Sequence, residues 1–184
     1  MNLKNIIPKR IGNVICEVVD EADDKIRVIF THTNRVRSSI LLPSKVNNEK
    51  LFAAGLSIFA AEGSNKFRVD GRAKEVEVVN SNPAIINTFI KFLEMLGFPK
   101  SKLRARIELT ISQEENTSDK MNKCIKFWSD ITGIAINQFN KPIVKRSNTR
   151  RRKSEFGSLI VLFFSAPLWR LFNHWSRQLD TILT

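Results

Sequence analysis

The chain lacks several features that assign proteins to familiar classes. Its 184 residues include no tyrosine, two cysteines and two histidines. Cys16 and Cys124 are too few for a disulfide-stabilised scaffold, and we expect them to be reduced core thiols. Neither histidine has a cysteine or histidine partner at the spacing of a zinc site. Because the glycine-rich phosphate loops and the GxSxG motif are also missing, the sequence gives no support for a P-loop NTPase, a dinucleotide-binding enzyme or a serine hydrolase.

Long hydrophobic runs are also absent. The longest, residues 51–61 and 159–164, fall well short of the roughly 20 residues that a membrane-spanning helix needs. Residues 1–10 contain no apolar stretch of the kind found in signal peptides. We therefore expect no membrane partner and a cytoplasmic location.

Positive charge is what the chain has in excess. Thirty Lys and Arg residues against 18 Asp and Glu residues give a net charge of +12. Hydrophobic residues make up 42% of the chain, which is enough for a packed core and is not typical of a disordered chain. A folded basic domain of this kind typically binds a polyanion, either nucleic acid or an anionic membrane surface.

Hydrophobic patterning predicts the α+β class, with an N-terminal β-rich extension over residues 1–45 and a main domain over residues 46–184. The main domain alternates helices with strands, which we expect to be antiparallel and covered by the helices. The predicted strands are 13–20, 24–31, 35–42, 66–72, 74–80, 103–111, 141–146 and 158–164, and the predicted helices begin at Asn47 or Asn48, at Asn82, at Ser118 and at Ser165.

The first predicted helix, which ends at Glu62, is almost wholly apolar, so we expect it to be buried on most sides. Ala53, Ser57 and Ala61 recur along it at steps of four, and such small residues let another backbone approach closely. Glu62 stands at the negative end of the helix dipole, where a carboxylate is unfavourable unless a cation lies beside it. Two copies of the helix would bring two carboxylates together as oxygen ligands for Mg²⁺. The alternative is a solvated glutamate at an ordinary helix end.

The end of this helix resembles the signature of a known family. The segment GLSIFAAEG (Gly55–Gly63) is similar to the motif of the LAGLIDADG homing endonucleases, including the variant that ends in AEGS. The segments Val76–Gly97 and Trp128–Arg146 resemble those that follow the motif, and the likeness extends over about residues 40–182. The sequence departs from the family at Ser57, where glycine is usual, so that paired helices would lie slightly farther apart.

The resemblance implies a LAGLIDADG homing-endonuclease fold, in which an antiparallel, saddle-shaped sheet covered by helices lies over DNA. It implies that Glu62, with Gly63 beside it, binds Mg²⁺ or another divalent cation during hydrolysis of DNA phosphodiesters. Because two motifs form one active site, a single motif implies a homodimer with Ala53, Ser57 and Ala61 at its interface. The symmetry of such a dimer predicts a palindromic or near-palindromic double-stranded DNA target.

Basic side chains are the candidates for DNA contact. Arg104 and Arg106 share the polar face of the predicted strand 103–111, from which a saddle would direct them toward phosphates and base edges. The alternative is that an exposed strand carries arginine for solubility. The resemblance also implies a catalytic lysine, for which Lys145 is the candidate. The other candidates are Lys66, Arg68 and Arg72 on an earlier strand, and Lys141, Arg146, Arg150, Arg151, Arg152 and Lys153 in a stretch without an acidic residue.

The leading hypothesis from the sequence is therefore a site-specific, Mg²⁺-dependent DNA endonuclease that acts as a homodimer. The alternative on the same scaffold is a DNA- or RNA-binding module that does not cleave, such as a maturase-like factor or an inactive relic. A third class, a protein of the anionic membrane surface or the ribosome, rests on net charge alone. Metal-dependent cutting of DNA would separate the first hypothesis from the second.

Overall fold

Two four-stranded sheets and a layer of helices make up the part of the chain that the structure describes. A computed structural model describes residues 1–63, 75–112, 116–146 and 154–182. The strands are β1 (Arg10–Ile11), β2 (Val14–Glu21), β3 (Lys25–Thr31), β4 (Arg37–Pro43), β5 (Val76–Asn80), β6 (Arg104–Ile111), β7 (Ile143–Arg146) and β8 (Ser158–Phe163), and the helices are α1 (Glu49–Glu62), α2 (Pro83–Met95), α3 (Thr117–Thr132), α4 (Ala166–Arg177) and α5 (Leu179–Ile182).

The first sheet contains β1 to β4 in sequential order, and every neighbouring pair is antiparallel. The hairpin predicted from the two alternating segments is confirmed, with Val18 opposite Val28. Asp23 and Asp24 turn the chain with φ of 57° and 53°, a conformation that aspartate tolerates better than most residues. The predicted third strand is confirmed as β4.

The second sheet has the order β5-β8-β6-β7 and confirms the predicted strands that fall on described residues. The expectation of antiparallel pairing throughout is wrong for one pair, because β6 and β7 run parallel. Helix α3 follows β6 and precedes β7, so it returns the chain to the same end of the sheet, as a parallel connection requires. The predicted strand 66–72 lies outside the described residues.

Side-chain caps fix where the helices begin. Asn48 Oδ1 accepts a hydrogen bond from the backbone N–H of Leu51 (2.9 Å), and Asn82 caps α2 in the same way. The predicted cap of α3 at Ser118 is wrong, since Asn116 Oδ1 accepts from the backbone N–H of Ser118 (3.0 Å). The last predicted helix is interrupted at Gln178, so α4 and the short α5 are separate elements.

The helices pack on the inner face of the second sheet, and the inner face of the first sheet contributes to the same hydrophobic core. Trp128 and Trp175 are fully buried and Trp169 nearly so, as predicted for core residues. The indole N–H of Trp175 donates a hydrogen bond to the Ile6 carbonyl oxygen (2.9 Å), which ties α4 to the N-terminal segment. Both cysteines are buried, and neither forms a disulfide. None of the described helices is long and apolar enough to cross a membrane.

Candidate functional site

Helix α1 has one buried face and one open face of small residues. Phe52, Leu56 and Phe59 are fully buried, where the helix packs against α2, α4 and β5. On the other side Ser57 and Ala61 are exposed. Two further small residues on this side are Ala53, which is half-buried, and Ala60, which is exposed. We call Ala53, Ser57, Ala60 and Ala61 the small-residue face, and it leaves room for another backbone to come close.

The carboxylate of Glu62 ends α1 and is exposed to solvent in the single chain. Within the described ranges it forms no hydrogen bond and no ion pair. Exposure limits the unfavourable interaction with the helix dipole to about 0.3–1 kcal/mol. The position of Glu62 therefore does not by itself require a cation, and its significance depends on what the small-residue face brings beside it.

Gly63 closes α1 in a turn that only glycine fits. Its N–H donates a hydrogen bond to the Phe59 carbonyl oxygen (2.9 Å), and its backbone forms a β-bridge with Val78 of β5. A Cβ atom at residue 63 would lie 2.3 Å from the Phe59 oxygen, which is too close for any side chain. The turn therefore fixes the end of α1, and with it Glu62, against the second sheet.

A divalent cation needs more oxygen ligands than one chain offers here. Among the residues that the structure describes there is no group of three or more His, Cys, Asp or Glu side chains that could hold a metal ion. The Glu62 carboxylate and the carbonyl groups at the end of α1 have the oxygen chemistry that Mg²⁺ prefers, but the carboxylate stands alone. The residues fit Mg²⁺ only if a second chain adds its own Glu62.

The outer face of the second sheet, which faces away from the helices, carries polar side chains along β6. Burial alternates along this strand, with Ala105 and Ile107 inside, while Arg104 is exposed and Arg106 is half-buried. The Nε atom of Arg106 is buried and has no hydrogen-bond partner among the described residues. Arg106 stands opposite Ile160 of β8, which is 4% exposed. An anionic acceptor above the sheet would satisfy this donor.

Two of the predicted DNA-binding or catalytic side chains on β7 are engaged within the protein. Lys145 forms an ion pair with Glu108 of β6, and Arg146 donates hydrogen bonds to the Ser112 carbonyl oxygen (3.2 Å) and to Thr117 Oγ1 (3.0 Å). Lys141, which precedes β7, is exposed. The candidates that lie outside the described residues are Lys66, Arg68, Arg72, Arg150, Arg151, Arg152 and Lys153.

The two side chains expected to be catalytic, Glu62 and Lys145, are not brought together in one chain. Gly63, next to Glu62, pairs with β5, whereas Lys145 lies on β7, which is three strands away in the sheet. Strand spacing and rise put their backbones on the order of 20 Å apart. Among the described basic residues, Arg104 and Arg106 are nearer by register, since they stand opposite Leu162 and Ile160 of β8, which are paired with β5 on either side of Val78.

A second basic site contains the two histidines, which have no metal-site partner nearby in the sequence. His32 and His174 line the same cleft between the first sheet and α4, together with Arg170. Burial lowers the pKa of Arg170, and burial together with the charge of Arg177 lowers the pKa of His174. The two histidines are far apart in the sequence, so no local spacing could have indicated that they are neighbours.

Comparison with known proteins gives no family assignment. No model of a protein family matches the chain, and no curated protein is similar enough to count as a relative.

Proposed function

We propose that this protein is a DNA endonuclease of the LAGLIDADG type, which acts as a homodimer with Mg²⁺ held between the Glu62 carboxylates of the two chains. One observation carries the proposal: an exposed acid ends a helix that is buried on one side and leaves its small-residue face open. Pairing two such faces would remove that surface from water and bring the two acids together.

The order of elements supports the LAGLIDADG fold for the main domain. After α1 the described chain alternates strands and helices, and the helices cover only the inner face of the second sheet. The outer face offers Arg104 and Arg106 to a polyanion, which suits a sheet that lies over DNA. A two-fold dimer would double this surface along the duplex and would select a palindromic or near-palindromic site.

In the proposed centre, bound Mg²⁺ would activate a water molecule and stabilise the departing oxygen of the phosphodiester. Glu62 would hold the ion, and the Gly63 turn would fix the orientation of the acid. Arg104 and Arg106 would hold the DNA backbone or guanine edges. We do not include Lys145 in this centre, because it is paired with Glu108 and lies at the far side of the sheet.

The test of this function is an assay of purified protein with a plasmid or a library of DNA targets. Double-strand cutting is expected with Mg²⁺ and is expected to disappear when a chelator removes the metal, because no cation is then held between the two acids to activate water. Restoring Mg²⁺ should restore cutting. Tight DNA binding with no cutting under either condition would contradict the endonuclease proposal and would favour the non-cleaving module on the same scaffold.

Substitution of Ser57 by glutamate is expected to break the dimer without unfolding the chain. Ser57 is exposed in the single chain, so the larger charged side chain costs little there, but two copies would repel each other at the paired face. Sedimentation in the presence of target DNA should show that the association constant of the dimer falls at least about tenfold. One unfavourable contact between like charges is enough for a change of this size. Cutting should be lost in parallel.

The matched control for this prediction is Ala84→Glu. Ala84 is an exposed residue in the first turn of α2, outside the small-residue face, so it accepts the same charge without a partner helix beside it. The control should dimerise and cut as the unmodified protein does. Equal dimerisation of both variants would mean that α1 is not the interface.

A further inference from the structure

The cleft between the first sheet and α4 has the size and the lining of a ligand site. Its volume is 540 Å³, within the range of about 300–1,000 Å³ that small-molecule sites occupy. Residues 10–14 and His32 form one wall, and α4 forms the other. Neither wall belongs to the second sheet, so the cleft is separate from the proposed DNA surface.

Positive charge converges on this cleft with no negative charge to balance it. Arg10, Arg170 and Arg177 line it together with two histidines, and none of the Asp or Glu residues that the structure describes does. Arg170 is half-buried, and within the described ranges none of the three guanidinium groups forms an ion pair or a hydrogen bond. Gathering like charges around the half-buried Arg170 is unfavourable, and a bound anion would offset that repulsion.

The remaining lining suits an organic group attached to the anion. Ile11, Val14 and Trp169 form an apolar side of the cleft, while Asn13 and Thr33 add polar groups at its rim. The Asn173 amide N–H donates to the Trp169 carbonyl oxygen (2.8 Å), which orients the Asn173 side chain. The cleft thus combines a guanidinium cluster with an apolar wall.

We propose that this cleft binds a phosphate ester, with Arg10, Arg170 and Arg177 around the phosphate and Ile11, Val14 and Trp169 against the organic part. Guanidinium groups form paired, charge-assisted hydrogen bonds with phosphate oxygens, and the N–H groups of the two histidines can add to them. The phosphate can belong to a free nucleotide or to the 5′ end of a nucleic-acid strand. The site does not depend on the proposed nuclease centre.

The test measures binding of three probes to the whole chain: adenosine monophosphate, a ten-nucleotide DNA strand with a 5′-phosphate and the same strand without it. Titration is followed by the fluorescence of the tryptophans, since Trp169 lines the cleft. Adenosine monophosphate or the phosphorylated strand should bind at least about tenfold more tightly than the unphosphorylated strand. One hydrogen bond between charged groups accounts for a ratio of this size. Binding of the nucleotide identifies a free nucleotide as the source, and binding of the phosphorylated strand alone identifies a strand end.

Variants Arg170→Gln and Arg177→Gln should each weaken this binding at least about tenfold. The matched control is Lys123→Gln, which removes one positive charge from an exposed position of α3, away from the cleft. It should bind as the unmodified protein does. Because Arg177 is exposed, its variant tests the site even if the half-buried Arg170 variant does not fold. Equal binding by Arg177→Gln, or no tighter binding of either phosphate monoester than of the unphosphorylated strand, would overturn the proposal.

Discussion

Glu62→Gln is expected to abolish Mg²⁺-dependent cutting of DNA while leaving the fold unchanged. The substitution keeps the shape of the side chain but removes the negative charge that would hold the cation. Substitution of residues that only orient a metal ligand lowers metal affinity or activity about 10–100-fold. Loss of the ligand itself should therefore reduce cutting by at least about 100-fold. Because Glu62 is exposed, the free energy of unfolding should change by no more than about 0.5 kcal/mol.

The matched control is Glu94→Gln, which makes the same change at an exposed position of α2. It should cut as the unmodified protein does. The affinity for DNA, measured without Mg²⁺ so that no cutting occurs, should be unchanged or higher in Glu62→Gln. The substitution removes one negative charge near a polyanion. Full cutting by Glu62→Gln would show that the metal is held elsewhere or is not used.

Gly55→Ala is expected to destabilise the protein although alanine favours helices. A Cβ atom at residue 55 would lie 2.1 Å from Cγ and 2.6 Å from Cβ of Phe92. These atoms are the base of a fully buried ring that also contacts Phe52 and Phe172, so it has little freedom to move aside. Overpacking of this kind costs about 3 kcal/mol, against a gain of about 1 kcal/mol in helix propensity. The net loss should be about 2 kcal/mol.

Thermal unfolding should report this loss as a fall in Tm of about 4–8 °C, given the length of the chain. Ser57→Ala, two residues further along on the exposed side of the same helix, should shift stability by no more than about 0.5 kcal/mol. Adding Phe92→Leu to Gly55→Ala should cause less destabilisation than the two separate effects added together, because the smaller side chain relieves the contact. Additive effects would mean that α1 and α2 do not meet at Gly55.

Local patterns predicted the elements well because each is encoded by nearby residues. The alternation in β6 and the Asn–Pro start of α2 are examples in which side-chain periodicity and capping chemistry act over one element. The cap of α3 was misassigned because Asn116 and Ser118 are both good capping residues, and local chemistry does not separate them. Only the backbone geometry identifies which one accepts the hydrogen bond.

Long-range relations could not be read from the sequence. The parallel pairing of β6 with β7 depends on how α3 returns the chain, and the pairing of Lys145 with Glu108 depends on that register. Glycine is required at residue 55 because Phe92 of another helix lies against it, and not because of the conformation of its own helix. The basic cleft joins the first sheet to α4, so its residues come from opposite ends of the sequence.

The central claim is that two Glu62 side chains meet at one cation when α1 of one chain packs on α1 of another. The most direct measurement is a crystal structure of the protein with Mg²⁺ and a palindromic duplex chosen by the cutting assay. The account predicts an oxygen atom of each Glu62 at about 2.1 Å from the same ion, with the small-residue faces in contact. Two Glu62 side chains that lie far apart, each surrounded by bulk water, would contradict it.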